Sequence, residues 1–132
     1  MGYPTNKPKR GYVGWEIPES DIVNLKNIFN PSYPRFFGHH CTLKFGVLDT
    51  VVLPVEIDGY VIGEVNRDGV QALVLMIGGD INRPDGGLYH ITWSLDSNHR
   101  PVDSNTAIAV GWQIIDHPIY VNLVPKFFPM GQ

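Results

Sequence analysis

Two runs of the chain alternate between apolar and polar residues, and no other feature restricts the fold as strongly. In the run 39–47 the apolar residues begin at Cys41 and recur at every second position. In the run 88–95 they do the same from Ile91. Because successive side chains of a β-strand point to opposite faces, each run is predicted to be a strand with one buried face and one polar face.

The polar faces of the two strands carry the same motif, a histidine and a threonine separated by one residue and followed by an apolar residue. It reads His40-Cys41-Thr42-Leu43 in the first strand and His90-Ile91-Thr92-Trp93 in the second. Side by side, the two strands would form one groove in which one imidazole takes a proton, the other gives one and the hydroxyls hold an anion. We therefore predict four catalytic residues, His40, Thr42, His90 and Thr92, with Cys41, Leu43, Ile91 and Trp93 buried behind them.

Two more residues are candidates for substrate binding. Tyr12 lies on the polar side of a predicted strand over 11–17, where it either stacks on a nucleobase or is an ordinary exposed tyrosine. Lys44 shares the predicted face of His40 and Thr42, so it either reaches a phosphate or is simply solvated.

The other histidines are predicted to be structural or solvated. His39 falls on the face opposite His40, and His99 and His117 lie in predicted loops. No closely spaced set of ligands stands out, so neither a metal site nor a cofactor is predicted.

Glycine and proline are frequent, at 14 and 11 residues of 132, which favours short strands joined by turns. The sequence predicts a compact, two-lobed α+β fold with a mainly antiparallel sheet, one clear helix and central strands that carry the two motifs. The helix begins at Pro18-Glu19-Ser20-Asp21, and its apolar stripe ends near Asn30-Pro31. Besides the strands already given, strands are predicted over 51–57, 60–65, 70–77, 106–115 and 119–124.

Residues 1–10 are expected to form a loose basic arm, and residues 11–132 a single domain. Asp58-Gly59 predicts a two-residue hairpin turn, and Asn66-Arg67-Asp68-Gly69 predicts a second turn. The glycine-rich loop 78–87 is either a lid over the site or a long hairpin connection.

Charge and cysteine content restrict the partners. The net charge is −3, with a pI near 5.9, and a protein that holds long duplex nucleic acid usually has a basic surface. A single cysteine cannot form an internal disulfide, and neither a signal peptide nor a membrane span is recognisable. We therefore expect a cytoplasmic protein whose partner is a small nucleotide or oligonucleotide, with no role at a membrane and with homo-oligomer formation left open.

The run His40-Cys41-Thr42-Leu43-Lys44-Phe45, together with the second motif, resembles the signature of the 2H phosphoesterase superfamily. The first motif is especially similar to the LigT-like branch, in which a hydrophobic residue, a basic residue and phenylalanine commonly follow the threonine. The order of strand, helix and strand from Gly11 to Val47 is similar as well. The two motifs are closer in sequence than is usual for the family, and no second helix is predicted, which indicates a reduced second lobe.

The resemblance implies a metal-independent enzyme that cleaves 2′,3′-cyclic phosphates, 2′-5′ linkages or related RNA phosphodiesters. The small size is similar to that of the phage anti-CBASS phosphodiesterases, which destroy cyclic oligonucleotide messengers and would act in the host cytoplasm. Two alternatives stay open: a non-catalytic module that binds a cyclic nucleotide as a sponge or sensor, and a scaffold protein with fortuitous motifs.

Overall fold

The computed structural model describes residues 7–130, in which the chain forms two antiparallel sheets and two helices. The elements in chain order are β1 Arg10–Glu16, α1 Glu19–Ile28, β2 Arg35–Phe36, β3 His40–Leu48, β4 Asp58–Arg67, β5 Val70–Ile77, β6 His90–Leu95, α2 Asp103–Val110, β7 Gln113–Asn122 and β8 Val124–Pro129. The predicted α+β class, with mainly antiparallel strands and a prominent first helix, is confirmed.

The smaller sheet has the strand order β3-β1-β8, and the larger has the order β2-β6-β5-β4-β7. β5 lies at the centre of the larger sheet with both of its faces covered, which explains why every residue of this strand except Gln71 is apolar. Leu73 and Leu75 belong to the core between the two sheets and α1. Ala72 and Val74 belong to a second core beneath α2. The motif strand β6 is internal to its sheet, whereas β3 is an edge strand of the smaller one.

The first helix begins and ends close to its predicted positions. Pro18 precedes its first turn, Glu19 and Asp21 lie within that turn, and the backbone leaves the helix at Phe29. Acidic side chains in the first turn are favoured by the helix dipole. Ile22, Leu25 and Phe29 are buried against the core, so one face of the helix closes the space between the two sheets.

The second helix contradicts the predicted strand over 106–115 and the expectation of a second half without a helix. Residues 106–109 read Thr-Ala-Ile-Ala, which alternates like a strand, but alanine is the strongest helix former. Ser104, Ala107 and Ile108 are buried, a spacing that belongs to one face of a helix. The strand predicted here begins only at Gln113.

The strand predicted over 51–57 is also wrong, and so is the hairpin turn at Asp58-Gly59. Residues 51–57 run without a strand partner, with Val52 and Val55 almost fully exposed. Asp58 instead begins β4. The second predicted turn is confirmed, because Asp68 and Gly69 take the positive φ angles of a tight turn between β4 and β5.

The last two strands differ from the predicted strands over 106–115 and 119–124. β7 continues through Pro118, and the prediction missed β8, which contains Pro125 and Pro129. Both strands lie at sheet edges, where a residue without an N–H does not interrupt a ladder.

The predicted basic arm falls mostly on residues 1–6, which lie outside the described residues. Arg10 already belongs to β1, and its carbonyl oxygen accepts a hydrogen bond from the Met130 N–H at 3.0 Å. Neither helix in the described part of the chain has the length and apolar character needed to cross a membrane.

Candidate active site

The two motif strands belong to different sheets and meet at their motifs. β3 and β6 pack directly against one another, and Cys41 is completely buried at this junction, where burial raises the pKa of its thiol. Cys41, Ile91 and Trp93 are completely buried behind the site, and Leu43 is partly buried.

A groove of about 360 Å³ opens on the polar side of this junction. All four residues of the two motifs line it, and so does Tyr12. The remaining wall is formed by Phe45, Arg83, Pro101, Val102 and Asn105. The structure therefore brings two imidazoles and two hydroxyls, which are far apart in the sequence, into one concave space.

His90 is held in one orientation by its own strand. Its Nδ1 lies 2.9 Å from the Leu88 carbonyl oxygen. A carbonyl oxygen only accepts, so Nδ1 carries the hydrogen and Nε2 of the neutral ring keeps a lone pair. Burial, opposed by the Leu88 hydrogen bond and aided by the charge of Arg83, lowers the pKa of His90 from its ordinary value. The ring can accept a proton at Nε2 without changing its hydrogen bond to Leu88.

His40 lies among aromatic rings. Its ring centroid is 5.1 Å from that of Tyr12 and 5.2 Å from that of Phe128. Burial among these rings, together with repulsion from His90 and His39, lowers the pKa of His40 to about 4. Both imidazoles line the same groove, and the charge of His90 adds to the effect of burial on the pKa of His40.

The two threonine hydroxyls have different surroundings. Thr42 is buried on β3, and its hydroxyl has no hydrogen-bond partner among residues 7–130. Thr92 Oγ1 lies 2.9 Å from the Ser104 hydroxyl oxygen, in the first turn of α2. Ser104 is fully buried and thus fixes the rotamer of Thr92. The missed helix α2 therefore completes one side of the site.

A β-bulge in β3 determines which of the two predicted substrate-binding residues, Tyr12 and Lys44, reaches the groove. β1 and β3 change register where Val13 and Gly14 face Lys44 and Thr42, so the alternation of β3 is broken after Thr42. A Cβ on Gly14 would lie 2.1 Å from the Cys41 carbonyl oxygen, so only glycine leaves room for β3 at this point.

The bulge exchanges the positions predicted for Lys44 and Phe45. Phe45 was predicted on the buried face, but it is half exposed and lines the groove, 5.5 Å from the Tyr12 ring. Lys44 is exposed and does not line the groove. Tyr12 does line it, with its ring stacked on Phe128 at 4.9 Å. The structure thus brings Tyr12, but not Lys44, to the candidate site.

Arg83 is the principal groove residue that the sequence analysis missed. It comes from the loop 78–87, which is the connection of the antiparallel pair β5 and β6. An arginine in a glycine-rich loop directly before a motif strand was the signal that could have revealed it. Asn105 gave no such signal, because its approach to the groove depends on α2.

The other histidines lie away from the groove. His39 and His117 are exposed, and His99 Nδ1 is 2.7 Å from an Asp96 carboxylate oxygen. Within residues 7–130, no three side chains of the His, Cys, Asp and Glu types are placed to hold a metal ion together.

Comparison of the chain with protein-family models, with curated proteins and with solved structures finds no match. The functional argument therefore depends on the residues of the groove.

We predict that His40 makes the fold sensitive to acid. Its pKa is about 4 in the folded chain and near 6.5 when unfolded, so the unfolded chain binds the proton more tightly. Its neutral form contributes fully to stability above pH 6.5, and that contribution is lost as pH falls from 6.5 towards 4. The free energy of unfolding would be measured with urea at pH values from 6.5 to 4. Over this range it should fall by about 1–3 kcal/mol less in His40→Asn than in wild type.

His117→Asn, at an exposed position of β7, is the matched control and should lose as much stability as wild type. If His40→Asn and wild type lost the same amount, the imidazole would not be buried in its neutral form.

Proposed function

We propose that the chain is a 2H-type phosphodiesterase that cleaves a small RNA-like or cyclic oligonucleotide phosphodiester without a metal ion. The observation that carries this proposal is the convergence of His40, Thr42, His90 and Thr92 on one groove of about 360 Å³. This arrangement is what the resemblance to the 2H phosphoesterases implies. A groove of this size suits one nucleotide unit better than a duplex, in keeping with the net charge of −3.

The two imidazoles divide the proton transfers between them. A water molecule or a ribose 2′-hydroxyl attacks phosphorus, and its proton passes to the histidine that is neutral. The bond from phosphorus to the leaving oxygen breaks, and that oxygen takes a proton from the histidine that is protonated. The Nδ1–H of His90 is held by the Leu88 carbonyl, so Nε2 is the nitrogen of this ring that can exchange a proton with the substrate. Either histidine serves as base, according to the direction of the reaction.

The hydroxyls of Thr42 and Thr92 donate to the non-bridging phosphate oxygens, where negative charge builds as the nucleophile adds. Thr42 is free to donate in the described structure. The Thr92 hydroxyl donates to the Pro101 carbonyl at 3.4 Å, a long hydrogen bond, and it can donate to a phosphate oxygen instead while accepting from Ser104. Hydroxyls held by packing in this way need little reorganisation during the reaction.

The base of the substrate would lie against the aromatic wall. Tyr12 and Phe45 line one side of the groove, and aromatic faces stack on any nucleobase. Substrates in reach of such a site include 2′,3′-cyclic nucleotides, 2′-5′ oligonucleotides and the cyclic oligonucleotide messengers of antiviral signalling.

A second candidate function is a sponge or sensor that binds a cyclic nucleotide without cleaving it. It is favoured by the lowered pKa of both histidines, because two neutral imidazoles at neutral pH leave the free site without a protonated acid. Turnover separates the two candidates, since the sponge binds its ligand and releases it unchanged.

We predict metal-independent turnover that depends on both motifs. In a screen with EDTA over 2′,3′-cyclic mononucleotides, 2′-5′ oligoadenylates and cyclic di- and trinucleotides, wild type should hydrolyse at least one class. On that substrate His40→Ala and His90→Ala should each lower kcat by about 10²–10⁴-fold, the usual contribution of acid–base catalysis. Thr42→Ala and Thr92→Ala should each cost about 10–10³-fold.

His117→Ala is the control, because this histidine is exposed and lies outside the groove. Folding of each variant is checked by its thermal transition. Full activity in either motif histidine variant, or activity that EDTA abolishes and a divalent ion restores, would contradict the mechanism.

We also predict an acidic optimum for kcat/KM. The active form has one neutral and one protonated imidazole, and kcat/KM reports the pKa values of the free protein. Because the pKa of His40 is near 4 and that of His90 lies below its ordinary value, the form with one protonated ring is most abundant at acidic pH. Activity should fall at lower pH as both rings become protonated, and at higher pH as both become neutral. A kcat/KM that keeps rising above neutral pH would mean that no protonated histidine is required.

A further inference from the structure

Arg83 is a nearly buried cation in the wall of the groove. Arg83 is only 8% exposed. Nε lies 3.0 Å from an Asp85 carboxylate oxygen, and Nη2 lies 3.4 Å from the Asn105 amide oxygen. The guanidinium carbon is 5.9 Å from the Phe45 ring centroid. The guanidinium therefore spans the wall between β3 and α2, beside the two motifs.

The loop is shaped to hold this side chain. The Arg83 N–H donates to the Gly87 carbonyl at 2.7 Å, and the Gly86 N–H donates to the Arg83 carbonyl at 3.0 Å. A Cβ on Gly87 would lie 2.5 Å from Nη2, so the absence of a side chain there makes room for the guanidinium. The Asp85 carboxylate holds the guanidinium and the loop together, because it accepts hydrogen bonds from Arg83 Nε and, at 3.2 Å, from the Gly87 N–H. An arginine fixed in this way is pre-organised, whereas a surface arginine must first lose its side-chain freedom.

One edge of the guanidinium remains free for a ligand. Nη1 forms no hydrogen bond with residues 7–130. It does not belong to the fully buried, unpaired polar atoms of this part of the chain, so it is accessible. Among the described residues that line the groove, Arg83 alone carries a permanent charge. Asp85, which balances it, is not part of the lining, so the groove itself presents a positive charge to its contents. A nearly buried cation directed into a groove favours an anionic ligand.

We propose that Arg83 binds the scissile phosphate and stabilises the negative charge that builds on its non-bridging oxygens. This rests on the proposed phosphodiesterase function and gives Arg83 the phosphate contact that was one of the two alternatives for Lys44. Burial lowers the pKa of His90 and raises that of the Cys41 thiol; the charge of Arg83 adds to the first shift and opposes the second, which agrees with a guanidinium within electrostatic reach of both motif strands. Arg83 is thus a third phosphate-binding group beside the two threonines, and the only cationic one.

The test compares Arg83→Met and Arg83→Lys with Lys44→Met. Lys44→Met removes the same charge from an exposed position on a motif strand outside the groove, so it is the matched control. On the substrate found in the screen, Arg83→Met should lower kcat by about 10²–10³-fold, the cost of losing one donor to a developing oxyanion. Arg83→Lys should recover part of that loss, since it keeps the charge without the planar fork. Lys44→Met should match wild type.

Inorganic phosphate gives a second readout that needs no turnover. In NMR titrations, phosphate should shift the imidazole signals of His40 and His90 in wild type and in Lys44→Met. Arg83→Met should weaken this binding by about tenfold or more, in the range of a lost charge-assisted hydrogen bond. Gly87→Ala keeps the charge but overlaps the seat of the guanidinium, so it should weaken binding too, and it decides the question if Arg83→Met fails to fold.

The two proposals fail in different ways. If wild type cleaves no substrate but binds phosphate through Arg83, the phosphodiesterase proposal fails and the anion site stands. The role of Arg83 is overturned if wild type cleaves substrate and Arg83→Met has the same kcat and phosphate affinity as Lys44→Met. If Arg83→Met does not fold, the same comparison is made with Gly87→Ala. Absence of phosphate binding by wild type would overturn it as well.

Discussion

The contact between β3 and β6 is the constraint on which the rest of the structure depends. These strands belong to different sheets, so no backbone ladder joins them, and side-chain packing must hold their motifs together. Two fully buried tryptophans, Trp15 and Trp93, pack behind the motifs of β3 and β6. Trp15 Nε1 donates to the Glu56 carbonyl at 2.9 Å, and Trp93 Nε1 donates to the Phe29 carbonyl at 2.8 Å. Each indole therefore ties a sheet to a segment outside it, and neither can shift without leaving a buried donor unpaired.

This packing also determines the electrostatics of the groove. Burial keeps both histidines mainly neutral at neutral pH, while Arg83 supplies a fixed positive charge beside them. An incoming phosphate would offset that charge and raise the affinity of either imidazole for a proton. The groove therefore favours binding of an anion first and of a proton second. The same burial that accompanies the convergence of the two motifs makes the fold less stable in acid.

The sequence predicted those parts of the site that follow from alternation along a single strand. His40 with Thr42, and His90 with Thr92, were found in this way because side-chain direction on a regular strand is a local property. Where the strand is irregular, the same rule failed. The bulge after Thr42 moved Lys44 out and Phe45 in, and it depends on the absence of a side chain on Gly14 in the neighbouring strand.

Other errors also have their origin in contacts distant along the chain. The segment that becomes α2 alternates as a strand would, and its packing on the apolar face of the larger sheet adds to the helix propensity of its alanines. Because β8 is an edge strand, it tolerates prolines that would have excluded it from the interior of a sheet. Arg83 reaches the groove through a loop whose shape depends on Gly86, Gly87 and Asp85 together, and no periodic pattern records that shape.

The central claim is that His40 and His90 act as one proton-transfer pair, and a double-mutant cycle tests it most directly. Turnover would be measured for both single alanine variants and for the double variant on the same substrate. Residues that serve one reaction coordinate are strongly non-additive, so the double variant should be about as slow as the slower single variant. If the losses of the two single variants multiplied in the double variant, the histidines would act independently and the account would be wrong.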